Sequence, residues 1–248
     1  MIILENVLSK DDYSISYDKG RCKITFNTNV KSIPENFLIN ENLFYNVAVV
    51  EISKTVRKIG KNAFSSEKLI EFIVDKDNSY FSCVDGVLFD KKVTKLIQYP
   101  RNKNIYGEYK IPDGVKEIGF GAFFGSSLTR IIMPDTVTKI DDFAFQRCES
   151  TKHIKFSKNL KYIGDGALQW TCYGNKKYFD RIGTDEGYNI LPNTLKYVGK
   201  DAFVAGYFYY DGTYSQFKKL NVKIKDEYKK YFYVKNEDDE YVSLLEIA

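Results

Sequence analysis

"VKEIGFGAF", residues 115–123, decides the fold, because the chain spells the same phrase several times over. Val56 to Phe64 reads "VRKIGKNAF", Val137 to Phe145 reads "VTKIDDFAF", and Leu195 to Phe203 reads "LKYVGKDAF". With the central apolar residue as a marker, copies fall at Ile33, Ile59, Ile118, Ile140, Ile163 and Val198, the first in the degenerate form "VKSIPENF". The intervals are 26, 59, 22, 23 and 35 residues, so a unit of 22–23 residues recurs and the longer intervals hold insertions. A fixed period of about 20–29 residues is the signature of a leucine-rich solenoid, in which each unit is stable only when stacked on its neighbours.

Two apolar stretches make up the unit. The first has the form LxxIxLP, as in "LTRIIMP" at 128–134, "TKHIKFS" at 151–157 and "LIEFIVD" at 69–75, and its end alternates as a half-buried strand does. The second is the phrase itself. Its Val and Ile point inward, and the Gly or Asp that follows marks a tight corner where a large Cβ is unwelcome. Ala lets the coil turn closely, and a ladder of Phe37, Phe64, Phe123, Phe145 and Phe203, with Leu168 substituting once, fills the interior.

"IPDGVKEIGFGAF", "MPDTVTKIDDFAFQRC" and "LPNTLKYVGKDAF" resemble the BspA-type leucine-rich repeat, whose unit runs roughly IPxxVxxIGxxAFxxCxxL. The segment "VDGVLFDKKVTKLIQYP", residues 84–100, resembles the DGVL-containing insertion of the same family. The likeness covers about residues 30–205. It implies an α/β-class leucine-rich repeat solenoid, predominantly β: a curved right-handed coil with a parallel sheet on its concave side and β-hairpin caps. The family is associated mainly with bacterial cell-surface, adhesion and protein-binding roles, and those roles are expectations here.

One domain, 1–248, is expected. Residues 1–25 form an N-terminal cap, with "DYSISY" and "KGRCKITF" as a hairpin. Repeats fill 26–205, with insertions at about 76–107 and 170–189. Residues 206–248 form a C-terminal cap ending in a hairpin around "NEDDE". In the first insertion "GVLF" and "TKLIQY" flank a turn at Asp90–Lys92.

Composition narrows the function. Hydrophobic residues at 44% and charged residues at 28% fit a folded globular chain. A formal charge of +4, from 37 basic and 33 acidic residues with no long basic run, speaks against nucleic acid as a partner. No stretch approaches the roughly 18 apolar residues of a membrane helix, so no membrane insertion is expected. "MIILENVLSKDDYS" does not read as a signal peptide, which places the chain as written in the cytoplasm, or outside the cell or at its surface if it is a piece of a longer protein. Cys22, Cys83, Cys148 and Cys172 are widely spaced and read as free thiols.

No chemistry emerges from the motifs. The single histidine, His153, has no nucleophile or carboxylate placed beside it by spacing. No metal-ligand spacing, phosphate loop or cofactor motif is present; "GFGAFFG" lacks the GxGxxG spacing, and Asp185 and Glu186 read as an acidic turn. The expectation is a non-enzymatic scaffold for protein recognition, with no cofactor and no metal, and the alternative is a surface or secreted adhesin domain binding a host protein or a glycan.

Two surfaces are candidates for recognition. The outward positions of the concave strands include Glu71, Ile73, Glu108, Lys110, Arg130, Ile132, His153 and Lys155, with Lys23, Thr25, Val49, Glu51, Tyr188 and Ile190 in the same ladder. Ile73, Ile132 and Ile190 form either an apolar stripe for binding or incidental exposed residues. The second candidate is a pair of Tyr-rich loops, "WTCYGNKKYF" and "GYFYYDGTYSQF", which carry Tyr178, Tyr207, Tyr209 and Tyr210. Their composition suits recognition loops, and closing the C-terminal end of the core is the other reading.

Overall fold

A computed structural model of the chain describes residues 8–172 and 189–247. The chain divides into two compact units, 1–103 and 104–248. Both are mostly β, with four short helices among the described residues, and both are parallel-strand solenoids.

In the first unit the strands are β1 (Tyr13–Asp18), β2 (Arg21–Phe26), β3 (Ser32–Ile33), β4 (Val47–Ile52), β5 (Lys58–Ile59), β6 (Glu71–Val74), β7 (Phe81–Val84), β8 (Val87–Asp90) and β9 (Lys95–Gln98), and helix α1 spans Phe37–Asn40. β1 and β2 form the antiparallel N-terminal hairpin, and β2, β4 and β6 then run parallel. The short β3 and β5 pair parallel as a second ladder. The insertion is a meander rather than one hairpin, because β7 also pairs antiparallel with β8 ahead of the expected β8–β9 pair. Buried Asn78 starts it: its Nδ2 donates to the carbonyls of Ser53 and Val56, and its Oδ1 accepts from the N–H groups of Tyr80 and Phe81. Asp90 holds the turn, its Oδ1 accepting from the N–H of Thr94 at 2.6 Å and of Lys95 at 2.8 Å.

The second unit contains β10 (Glu108–Lys110), β11 (Glu117–Ile118), β12 (Arg130–Ile132), β13 (Lys139–Ile140), β14 (His153–Lys155), β15 (Tyr162–Ile163), β16 (Ile190–Pro192), β17 (Tyr197–Val198), β18 (Phe208–Thr213), α2 (Tyr214–Lys219), α3 (Asp226–Lys229), β19 (Phe232–Lys235), β20 (Tyr241–Ser243) and α4 (Leu244–Ile247). The first apolar stretch of each repeat supplies the ladder β10–β12–β14, and the phrase supplies β11–β13–β15–β17, all parallel. A third ladder joins the arcs that follow. Phe123 N donates to the Ala144 carbonyl at 2.7 Å, Phe145 N to that of Ala167 at 2.8 Å, and Leu168 N to that of Ala202 at 3.0 Å. The polar backbone is thus satisfied coil to coil while the side chains turn inward.

Inside the coils the expected aromatic ladder is buried: Phe37, Phe64, Phe123, Phe145 and Leu168 are at most 1% exposed, and Phe203 is at 7%. Phe123 and Phe145 stack with ring centroids 4.9 Å apart and planes at 12°. The corner after the central Ile is as tight as its glycine suggests, since a Cβ on Gly164 would lie 2.5 Å from the Asp142 nitrogen. The left-handed residue of the corner is not that glycine, however. It lies three past the central apolar residue, at Asn36, Asn62, Gly121, Phe143, Gly166 and Asp201, with φ between 53° and 58° in every copy. Four of these six are Asn or Gly, the residues that tolerate this conformation best. The four cysteines are free; Cys22, Cys148 and Cys172 are buried and Cys83 half-buried.

Candidate functional site

The recognition candidates on the strand ladder fall into register. In the second unit Glu108, Arg130 and His153 are directly opposite one another on β10, β12 and β14, and so are Lys110, Ile132 and Lys155. Between them Ile131 and Ile154 are fully buried, so alternation forces the flanking positions outward. Glu108 is shared by two cations, Arg130 Nη1 at 3.6 Å and Lys110 Nζ at 3.7 Å. Ile132 is half-buried in a column between the two exposed lysines. The six side chains together make a narrow patch with an apolar centre and three cationic groups to one carboxylate.

In the first unit the same logic brings Lys23, Val49 and Glu71 into one column and Thr25, Glu51 and Ile73 into the next. Glu51 binds Lys23 Nζ at 2.6 Å and accepts a hydrogen bond from Thr25 Oγ1 at 2.9 Å. The Lys23 contact, more than that of Thr25, holds the Glu51 carboxyl below its ordinary range despite partial burial. Ile73 is 40% exposed at the edge of this ladder. Val49 is not an open position: at 6% exposure, its short β-branched side chain sits in register between the longer Lys23 and Glu71.

The tyrosines expected on C-terminal loops are in a strand instead. Tyr209 and Tyr210 belong to β18, which pairs parallel with β16 and with β19 and so continues the repeat ladder. Tyr210 faces the core, 2% exposed, with its ring 5.6 Å from that of Phe217. Tyr209 takes the outward column after Ile190 but is only 8% exposed, because Tyr233 stacks on it at 4.8 Å and Tyr241 meets it edge-on at 5.2 Å. Tyr207, just before the strand, is equally buried, its ring against that of Tyr231 at 4.9 Å. All three close the core, and a capping box from Thr213 and Gln216 turns the chain into α2 behind them. Tyr178, Tyr188 and the remainder of the 173–188 insertion lie outside the described residues.

Sequence reasoning passed over Asn189, which ties β14 to the C-terminal sheet. It is fully buried at φ 58°. Its backbone N–H donates to the Ile154 carbonyl at 2.7 Å, and its carbonyl accepts from Tyr209 N at 3.0 Å. Its side chain imitates a strand: Oδ1 accepts from Ile154 N at 2.8 Å and Nδ2 donates to the Lys152 carbonyl at 2.9 Å. The only signal for this in the sequence is an Asn immediately before the apolar stretch.

Among the described residues no cluster of three His, Cys, Asp or Glu side chains is arranged to hold a metal ion, and no helix is long and apolar enough to cross a membrane. Burial pushes the thiols of Cys22, Cys83 and Cys172 above their ordinary range, away from the reactive thiolate.

Parallel ladders built from a repeated phrase, closed by antiparallel pairs, define a leucine-rich repeat protein. The chain belongs to the BspA type Leucine rich repeat region family, which matches in six copies over residues 2–89 and 89–182. Among solved structures it is similar to the pneumococcal vaccine antigen PcpA, with a TM-score of 0.55 and 23% identity over 84% of this chain and 55% of that one. It is also similar to a leucine rich cell surface protein from Faecalibacterium prausnitzii, with a TM-score of 0.52 and 20% identity over 79% of this chain and 61% of that one. The chain therefore spans less than two thirds of either protein, and at these identities the likeness carries the fold alone. No curated protein matches the sequence.

Proposed function

We propose that this chain is a non-catalytic recognition scaffold that binds a protein partner through the outward face of its strand ladders, centred on Arg130, Ile132, His153 and Lys155. The observation that carries the reading is the register of β10, β12 and β14, which gathers an apolar residue and three cations from three separate repeats onto one small surface. Glu71 and Ile73 offer a comparable, less cationic patch on the first unit. Rigid parallel strands preorganise such a face, so little ordering is required on binding, and its positive excess favours an acidic partner surface. The buried tyrosines of β18 support this face and are not themselves contacts.

The test pairs Ile132→Glu with Lys155→Glu, placing two like charges side by side on adjacent strands. Both sites are outward, so stability changes by no more than about 1 kcal/mol, whereas affinity for a partner using this face falls by about 2 kcal/mol or more. Proteins crosslinked to the parent chain in its native cells are compared with those crosslinked to the folded double variant. Loss of a partner from the variant supports the reading, and the same partner bound with the same affinity defeats it. A cell-surface adhesin is the second reading, since one of the similar solved structures is a cell surface protein. Fractionation of the native cells separates the two.

A further inference from the structure

The hairpin that opens the first unit leaves one edge of its sheet unpaired. β1 is the terminal strand of the sheet β1–β2–β4–β6. The two-residue turn at Lys19 and Gly20, with φ 47° and 76°, makes Asp18 and Arg21 the first hydrogen-bonded pair of the hairpin. Bonding alternates from there, and Asn27 N donating to the Asp12 carbonyl at 2.9 Å fixes the phase at the far end. The even-numbered residues of β1 thus spend their N–H and C=O groups on β2, while those of Tyr13, Ile15 and Tyr17 point away from it. Among the described residues no other strand meets them.

The other edge of the same sheet is covered. Phe72 N on β6 donates to the Gly86 carbonyl at 2.9 Å, and the Cys83 thiol donates to the Phe72 carbonyl at 2.9 Å, so the insertion closes that side. β1 lacks the devices that ordinarily blunt an open edge: from Tyr13 to Tyr17 it has no charged residue and no Pro, and its register with β2 has no bulge. It also carries apolar surface. Ile15 and Tyr17 lie opposite the buried Ile24 and Cys22, on the same side as the buried Tyr13, yet they are 42% and 74% exposed. Unpaired backbone groups beside exposed apolar side chains call for another strand.

The sequence of the edge says which strand fits. "YSISY", residues 13–17, reads the same in both directions. Two copies laid antiparallel through their outward groups and centred on Ile15 set Ile15 against Ile15, Tyr13 against Tyr17 and Ser14 against Ser16. Each facing pair of odd-numbered residues exchanges both its hydrogen bonds, about six in all, and every side chain meets one of its own kind. A shift of register brings Tyr13 against Lys19, whose φ of 47° is not that of a strand, and breaks the match. At each end Asp18 meets Asp12 of the other copy, but Arg21 stands opposite Asp18 on β2, and Asp12 is already bonded to Ser9 N and Asn29 Nδ2. We infer that β1 is a self-association edge, to which a second copy of this chain adds its own β1 antiparallel, giving a two-fold dimer whose two sheets run on as one. The edge is separate from the ladder of β10, β12 and β14 and does not depend on that ladder's role.

The test follows the mass of the full chain by sedimentation velocity over a range of concentrations, and a reversible dimer is expected. Ile15→Lys alone, or Ile15→Glu alone, places like charges face to face on the two-fold axis and weakens dimerisation by about tenfold or more. Far-UV circular dichroism of each variant matches the parent, because residue 15 is exposed. Mixing the two variants sets Lys against Glu and restores a dimer with one chain of each, a recovery that itself requires both chains to be folded. A parent chain that stays monomeric at every concentration overturns the inference, as it would if its own residues 1–7 covered the edge. So does a dimer that either single variant leaves intact, which puts the contact elsewhere. A mixture no more dimeric than its parts also overturns it, since residue 15 then does not face itself.

Discussion

Replacing Phe145 with Ala removes a ring that is fully buried at the centre of the second unit. The ring stacks on Phe123 at 4.9 Å, and the backbone around it is pinned to both neighbouring coils, by Phe123 N to the Ala144 carbonyl at 2.7 Å on one side and by Phe145 N to the Ala167 carbonyl at 2.8 Å on the other. Neighbouring coils therefore cannot close over the space, and the loss comprises the transfer energy of the ring plus an unrelieved cavity, about 3–5 kcal/mol. Phe124, the next residue, is only half-buried on the arc. Phe124→Ala costs about 1 kcal/mol, close to the ordinary cost of a single substitution. Urea unfolding followed by far-UV circular dichroism and by fluorescence of Trp170, the single tryptophan, reads both variants. In a repeat protein the two probes also report whether the coil around residue 145 opens ahead of the rest. Equal midpoints for the two variants would refute the inward register of the Phe ladder, and with it the assignment of the arc.

Two further outcomes follow from buried polar groups. Asn189→Ala leaves the Ile154 N–H and the Lys152 carbonyl without their side-chain partner and puts Ala at φ 58°, which together cost roughly 2–5 kcal/mol in thermal or urea unfolding; a change under about 0.5 kcal/mol would show that this side chain does not stand in for a strand. Burial, then the hydrogen bond to Glu41 at 2.6 Å and that carboxylate's charge, push Tyr13 from its ordinary 10.0 up to about 12, so the folded state keeps a proton that the unfolded state loses first. That part of the stability is complete below pH 10, declines as pH rises towards 12, and is absent from Tyr13→Phe, whose stability therefore falls less steeply over that interval.

The periodicity was enough to read the coils, because stacking requires the same inward residue at the same place in every repeat. Ile118, Ile140 and Ile163 mark it with no gap, and the register of β10, β12 and β14 follows from it. Where the pattern is saturated, sequence reading failed. "YFYY" at 207–210 has an aromatic at every position, so alternation cannot distinguish a strand buried on both sides from a Tyr-rich loop, and of the two readings of Tyr207, Tyr209 and Tyr210 it is closure of the core that the structure shows. The meander strand β7 was hidden because its start depends on Asn78, which satisfies four backbone groups that are remote in the sequence or invisible in it. The left-handed corner residue is concealed by two exceptions, Asp201 and Phe143, the latter with φ 55° and its bulky ring set edge-on against Phe120 at 5.6 Å.

The third ladder has a mechanical consequence. Between the coil of residues 130–147 and that of 153–170, hydrogen bonds run across β12 and β14, across β13 and β15, and across the arcs, where Phe143 N, Phe145 N and Arg147 N meet the carbonyls of Asp165, Ala167 and Gln169. A load pulling these coils apart along the stack must break all three lines at once and is shared among them. A load prising up one side breaks them in turn, each with little help from the others. This junction is therefore strong in tension and weak to peeling, and a tether attached at the end of the stack will survive forces that the same tether, attached to one face, will not.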